Sequence, residues 1–413
     1  MTTLRIFVLL TLTLILLLDG YANAEQGYDS ESTTVILTKQ KPTYGNTLKN
    51  FINVNNAYLN QKYSRLKKRQ SPSSNINLTD ELLGDNYDFG YFGPITIANQ
   101  TFNVTYDTGS FDLWVPNISC SLFVCGYHNR FDPSRSSTFQ SSTNNFTIVY
   151  GLTSNQSVTG SQGQDTVIFG GVTITNQTFG LAANMPSIFA SQVEDGILGL
   201  AAVNSRGFKV NGVMQSIKEQ KQLSKNIIGF HFAREKNNSK DISFMTLGDV
   251  NQDAMIGSIG YNAANVSTGH WVIPLKDLKV DGIDLIHSRI PGAAALSDGQ
   301  QVLWTIPCNT KSIVSLTFDS GSYPIDPSEL VVYINQSHSL CLSGIQYSPL
   351  NFWLIGDVFL TSVYSVFDFD NYAVGFAESK IMANSHTSNT AINSFQTQNF
   401  ALIIGITIIL LFV

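Results

Sequence analysis

The stretch Tyr106–Pro116, YDTGSFDLWVP, places the carboxylate of Asp107 at a Thr108-Gly109 turn, with the Ser110 hydroxyl just beyond it. Asp107 closes the alternating run TFNVTYD, so a strand would deliver the acid and the Thr-Gly-Ser turn would offer it backbone N–H and hydroxyl donors. A carboxylate held in this way can take a proton as a base or give one as an acid, and a second group must fill the opposite role. Asp-Thr-Gly alone is also an ordinary turn sequence. Other chemistries have less to work with. The six histidines (128, 231, 270, 287, 338 and 386) show no metal-ligand spacing, and the chain has no Cys-x-x-Cys, no Gly-x-Ser-x-Gly elbow and no Gly-x-x-x-x-Gly-Lys loop. Neither a metal nor an organic cofactor is expected.

The surrounding elements read as strands. From Asn86 to Glu378 short alternating or apolar runs are broken by Gly, Asn, Ser and Asp, as in TVIFGGVTITNQTFGLA and YSVFDFDNYAVGFAES. Period-two alternation with such punctuation predicts a mostly β protein, and long amphipathic helical runs are scarce. With 43% hydrophobic and 13% charged residues, the 413 positions can bury the core of two lobes.

Several features point to the secretory route. Met1–Ala24 carries Arg5, an apolar run from Ile6 to Leu18 and an Ala-Asn-Ala ending, the layout of a signal peptide. Asn-x-Ser/Thr sequons begin at Asn77, Asn99, Asn103, Asn117, Asn145, Asn155, Asn176, Asn237, Asn265 and Asn335, and about half of them are expected to carry glycans. Four cysteines allow three pairings. In an oxidising compartment Cys120 with Cys125 and Cys308 with Cys341 is the simplest, four buried thiols being the other reading. Glu25–Arg69 holds eight cations against three acids, whereas the body after residue 69 carries a net −11. This basic block ends in Lys67-Lys68-Arg69, a plausible processing site. It is read as a propeptide held on an acidic body by charge, with a solvated tail as the alternative; nucleic acid is not an expected partner.

In combination the motifs resemble the pepsin-like aspartic peptidases. YDTGSFDLWVP is similar to their first catalytic segment, CSLFVC to their small disulfide loop and VYG at 149–151 to the start of their flap. DGILGLA (195–201), HWVIPL (270–275) and FWLIGDVFLTSVYSVFDFDNYAVGFA (352–377) extend the resemblance over roughly Asn86 to Glu378. It implies a bilobal fold with a peptide cleft between the lobes, each lobe giving one aspartate to a pair that shares a proton and activates water without a cofactor. Carried over residue by residue, Asp107 is the first-lobe acid, Thr108, Gly109 and Ser110 support it, Tyr150 and Gly151 belong to the flap, and Trp114 lies beneath that flap.

The chain departs from the family pattern in three places. IANQ replaces a longer stretch, and the flap segment runs about three residues long, both tolerable loop changes. The third lies in the second lobe. Its LIG segment is present at 354–356, but DLKVDGIDL (277–285) runs directly into IHSRIPGAAALSDG, which resembles the helix and turn that normally come after the second catalytic turn. About 25 residues, the second Asp-Thr-Gly among them, are absent by comparison with the family's internal repeat. FDSGS at 318–322 contains Asp319-Ser320-Gly321, but it comes after Cys308 and suits a hairpin turn. Without a like-charged neighbour, Asp107 is expected to be ionised above about pH 4.

Phe400–Val413 is an uncharged apolar run of 14 residues after the polar INSFQTQN. It reads as a glycolipid-anchor signal, with a tail anchor or a buried strand as alternatives. The expected organisation is a signal peptide (1–24), propeptide (25–69), N-terminal β lobe (70–255), truncated C-terminal β lobe (256–383) and linker with anchor-signal tail (384–413). The expected function is that of a monomeric aspartic endopeptidase, secreted, at the cell surface or in an acidic lumen, with the 413-residue form cleaving at or near background for want of the second aspartate. It would act on peptides in the interlobe cleft, be bound by its own propeptide and reach a membrane only through a lipid anchor. A peptide-binding pseudopeptidase is the alternative.

Overall fold

The computed structural model describes residues 75–82, 88–150, 157–186, 189, 192–203, 208, 210–233, 242–284, 305–334, 340–345, 352–380 and 408–410. The signal peptide, the basic leader, Gly151, the sequons at Asn155, Asn237 and Asn335, the stretch directly after Asp284 and the polar linker lie outside the described residues.

Eight strands form the largest sheet, in spatial order Thr79–Leu82, Asp88–Ile97, Gln100–Asp107, Gly196–Gly199, Leu113–Pro116, Val172–Asn184, Ser157–Phe169 and Gln140–Val149. The alternation read in TFNVTYD appears as burial: Phe102, Val104 and Tyr106 point into the core while Thr101 faces solvent. Its incoming hairpin turns on Ala98 and Asn99, both at positive φ (47° and 66°), between paired Ile97 and Gln100. Two left-handed residues in a two-residue loop match the right-handed twist of the flanking strands, which is why an asparagine sits there.

A six-stranded antiparallel sheet joins distant parts of the chain. Its order is Asn75–Asn77, Phe244–Leu247, Ile227–His231, Val363–Asp368, Ala373–Ser379 and Met255–Ala263. Three small sheets complete the second half. One holds Ile283–Asp284, Asp277–Val280, Val314–Phe318 and Gly321–Ile325; one holds Thr305–Pro307, Leu340–Ser343 and Val331–Ile334; the last holds Trp271–Ile273, Ile408–Leu410 and Trp353–Ile355. Three residues of the apolar tail are therefore a strand. The described helices are short: Leu122–Cys125, Val213–Glu219 and Asp357–Leu360. Among the described residues no helix is long and apolar enough to cross a membrane.

The expected mostly β, two-lobed architecture is the one observed. One large core runs from Tyr91 and Phe102 in the first half to Trp271, Phe318, Phe367 and Phe376 in the second. A smaller core gathers Trp114, Tyr150, Phe146 and Phe189 around Cys120 and Cys125. Both simplest cysteine pairs form, Cys120 with Cys125 and Cys308 with Cys341, at Cα separations of 5.9 and 4.9 Å.

Candidate active site

Asp107 stands at the end of a strand that is gripped along its length. Its parallel neighbour, Gly196–Gly199, sets Tyr106 opposite Leu198 and Asp107 opposite Gly199. The chain then crosses beneath the turn, where Leu200 N–H donates to the Asp107 carbonyl (2.7 Å) and Ala201 N–H to the Ser110 carbonyl (2.9 Å). Gly199 is glycine for a steric reason: a Cβ there would lie 2.4 Å from the backbone of Phe111 and Asp112. The turn and the crossing strand touch backbone to backbone, so the acid has little freedom to move.

The carboxyl of Asp107 is buried, at 1% exposure. Oδ1 accepts the Gly109 N–H at 2.8 Å, while Oδ2 has no hydrogen-bond partner. Burial pushes its pKa up to about 7, against a weaker downward pull from Ser110 and from the Gly109 and Ser110 amides. The Ser110 hydroxyl exerts that pull by lying beside the carboxyl; its geometry falls short of a formed hydrogen bond. This corrects the expectation that Asp107 ionises above about pH 4. That expectation considered only a neighbouring charge, and desolvation alone is enough to hold a proton on a buried acid.

Trp114 and Tyr150 are in direct contact. The Trp114 indole N–H donates to the Tyr150 hydroxyl at 2.6 Å, and Phe189 sets its ring edge-on to both. Both residues are buried. Burial raises the Tyr150 pKa, and the charges of Asp107 and Asp112 raise it further, so the phenol stays protonated beside the acid. Gly151, the next residue in the chain, is outside the described residues. Asp319 is not part of this group. It sits on the two-residue turn between Phe318 and Gly321, exposed and ion-paired to Lys276 at 2.9 Å.

Two residues that sequence reasoning treated only as family segments hold the aspartate strand in place. The carboxylate of Asp195 accepts the Asn103 N–H (2.8 Å), the Asn129 N–H (2.7 Å) and the Asn129 side-chain amide (2.9 Å), tying the aspartate strand to the loop after the small disulfide. Burial raises its pKa to about 6 despite those bonds. Trp271 reaches across from the second half, its indole N–H donating to the Leu200 carbonyl at 3.0 Å. Leu200 thus links Asp107 on one side to Trp271 on the other. The sequence carried a signal for Asp195, since an acid directly before an apolar-apolar-Gly strand must be partnered if it is buried. Trp271 carried none. Trp271→Phe keeps most of the ring packing against Phe367 and Phe369 but leaves the Leu200 carbonyl unpaired. The expected cost is about 1–3 kcal/mol, read as a fall in Tm of several degrees in thermal unfolding.

The fold and this turn define a two-lobed aspartic peptidase architecture. The family model for eukaryotic aspartyl proteases matches residues 90–299 and 284–379, two pieces that overlap at 284–299. Among curated proteins, aspartic-type endopeptidase ctsD of Aspergillus fumigatus is 32% identical over 344 residues, 76% of this chain and 70% of that protein. Pepsin A of Sus scrofa is 32% identical, covering 74% of this chain and 86% of the pepsin. Chymosin of Callithrix jacchus is 31% identical over 74% of this chain and 85% of its own length. The chain belongs to the eukaryotic aspartyl protease family, and by that kinship it is a pepsin-like aspartic endopeptidase.

Proposed function

We propose that Asp107 is the first-lobe acid of an acid-type aspartic endopeptidase, and that the 413-residue form holds only this half of the catalytic pair. Thr108, Gly109 and Ser110 orient the acid, Tyr150 and Gly151 form the flap over the cleft, and Trp114 forms the wall beneath it. The observation that carries the reading is the buried Asp107 carboxyl, with one oxygen unpartnered, at the point where the apolar-apolar-Gly strand crosses under it. A parallel pairing of the same kind exists in the second half, where Trp353–Ile355, the strand that leads into Gly356, pairs with a strand that brings no acid.

Around this site the reading keeps a signal peptide (1–24), a propeptide (25–69) docked by its cations and shed near Arg69, and lobes at 70–255 and 256–383. Location in the secretory pathway is supported by both disulfides and by exposed sequons at Asn99, Asn145, Asn176 and Asn265. The substrates are peptides or proteins laid in the cleft of a monomer. A second reading, a pseudopeptidase that holds peptides without cutting them, is favoured by the one-sided pair. Sequencing the transcript across codons 285–288 separates the two. An additional in-frame segment with an Asp-Thr/Ser-Gly makes the full product an endopeptidase, and an unbroken join makes it a peptide holder.

A further inference from the structure

We infer that the second lobe contains a strand-accepting slot, between Trp271–Ile273 and Trp353–Ile355, that the chain's own apolar tail fills. The inference rests on the proposed absence of the second aspartate strand. In the first lobe the aspartate strand lies between one antiparallel neighbour, Asp88–Ile97, and one parallel neighbour, Gly196–Gly199. The tail strand Ile408–Leu410 lies in the same arrangement, antiparallel to Trp271–Ile273 and parallel to Trp353–Ile355. Each parallel neighbour is an apolar-apolar-Gly segment, Ile197-Leu198-Gly199 in one lobe and Leu354-Ile355-Gly356 in the other.

Register makes the correspondence specific. Tyr106 stands opposite Leu198 and Leu410 opposite Ile355, so the tail occupies the rank of the residues that lead into Asp107. The sequence continues Leu411-Phe412-Val413, without a proton donor or acceptor in any side chain. The tail therefore restores the ladder and adds no side-chain carboxyl to it.

Backbone physics says why a slot there would be filled. Apart from a single bridge from Asn265 to Val272, the tail is the ladder partner of both flanking strands among the described residues. Without it, Trp271–Ile273 and Trp353–Ile355 would each present unpaired N–H and C=O groups beside buried Trp271, Ile273 and Ile355. An apolar extended segment satisfies both needs, as in strand addition to an exposed edge. Reach is no obstacle: the residues between Lys380 and Ile408 could span about 90 Å when extended. The ligand class of the slot is thus an extended apolar strand, and the tail cannot sit in it while serving as a membrane or lipid anchor.

Cysteine pairs placed by the register test this in the full 413-residue protein. Val272 and Leu354 are both half-buried and both stand opposite Ile409. Directly paired strand positions lie close enough for a disulfide. After mild oxidation, peptide mapping of Val272→Cys/Ile409→Cys should show at least about tenfold more bond between the new cysteines than Val272→Cys/Ile404→Cys. Leu354→Cys/Ile409→Cys should behave like the first pair, and the native Cys120–Cys125 bond in the same maps reports a folded first lobe. No bond in either 409 pair, or equal yield with the Ile404 control, overturns the plug. That result would leave the one-acid reading standing, whereas peptide cleavage by the unmodified chain would overturn the one-acid reading whatever the cross-links show.

Discussion

A form of the chain with a family-like Asp-Thr-Gly-Thr-Ser strand inserted after Leu285 should hydrolyse peptides at acid pH at least about a thousandfold faster than the 413-residue form. The reason is a count of protons and lone pairs. Hydrolysis needs one group to remove a proton from water and another to donate one to the peptide carbonyl, and two carboxyls sharing a single proton supply both. On the one-acid reading proposed above, Asp107 supplies only one of them. Burial holds its pKa at about 7, so below that value it is chiefly a neutral acid, with no second carboxyl hydrogen-bonded to it among the described residues. A second carboxyl would share that proton and leave the pair with one negative charge, which is the reactive state. Initial rates on a mixed peptide library, followed by mass spectrometry, measure the difference. Robust cleavage by the uninserted form, abolished by Asp319→Asn, would show that the exposed hairpin acid is the partner after all.

Asp107→Asn should stabilise the protein at neutral pH and leave it unchanged in acid. The folded-state pKa of about 7 lies above the ordinary aspartate value near 3.9. Between those values the folded chain keeps the proton that the unfolded chain has released, so stability falls as pH rises through the window. Above about pH 7 both states are ionised and the full penalty is present, on the order of 4 kcal/mol. Asparagine never ionises, and its carbonyl can still accept the Gly109 N–H. The wild type and the variant should therefore have equal urea midpoints near pH 3.5 and separate by pH 7.5, with the variant the more stable. Equal midpoints at both pH values would mean that the carboxyl is solvated when charged.

Much of the fold and of the site was legible in the sequence, for identifiable reasons. Asp107 closes a strand whose alternation is visible in TFNVTYD, and its turn chemistry lies within four consecutive residues. The pairing of Cys120 with Cys125 is local in the same way. Asp319 could be set aside because Asp-Ser-Gly suits a two-residue turn, and the Phe318–Gly321 hairpin bears that out. What could not be read depends on segments that meet only in space. The high pKa of Asp107 comes from everything packed over it, and the grip of Trp271 on Leu200 joins residues 71 apart. The tail strand was left among several fates because a short apolar run looks alike whether it enters a membrane, a signal site or a sheet.

The six-stranded sheet also constrains how this protein can be made. Ile227–His231 lies between Phe244–Leu247 and Val363–Asp368, and Lys218 reaches the carbonyl of Phe369 across 151 residues of chain. During synthesis the eight-stranded sheet can form once Gly199 has left the ribosome, but Ile227–His231 must wait with one bare edge until the last strands are translated. Contacts of such long sequence separation form slowly, because the loop must be closed before they repay it. An exposed strand edge in a nascent chain also invites pairing with a neighbour. Nascent chains halted before Val363 should therefore depend on chaperones far more than chains released after Ser379.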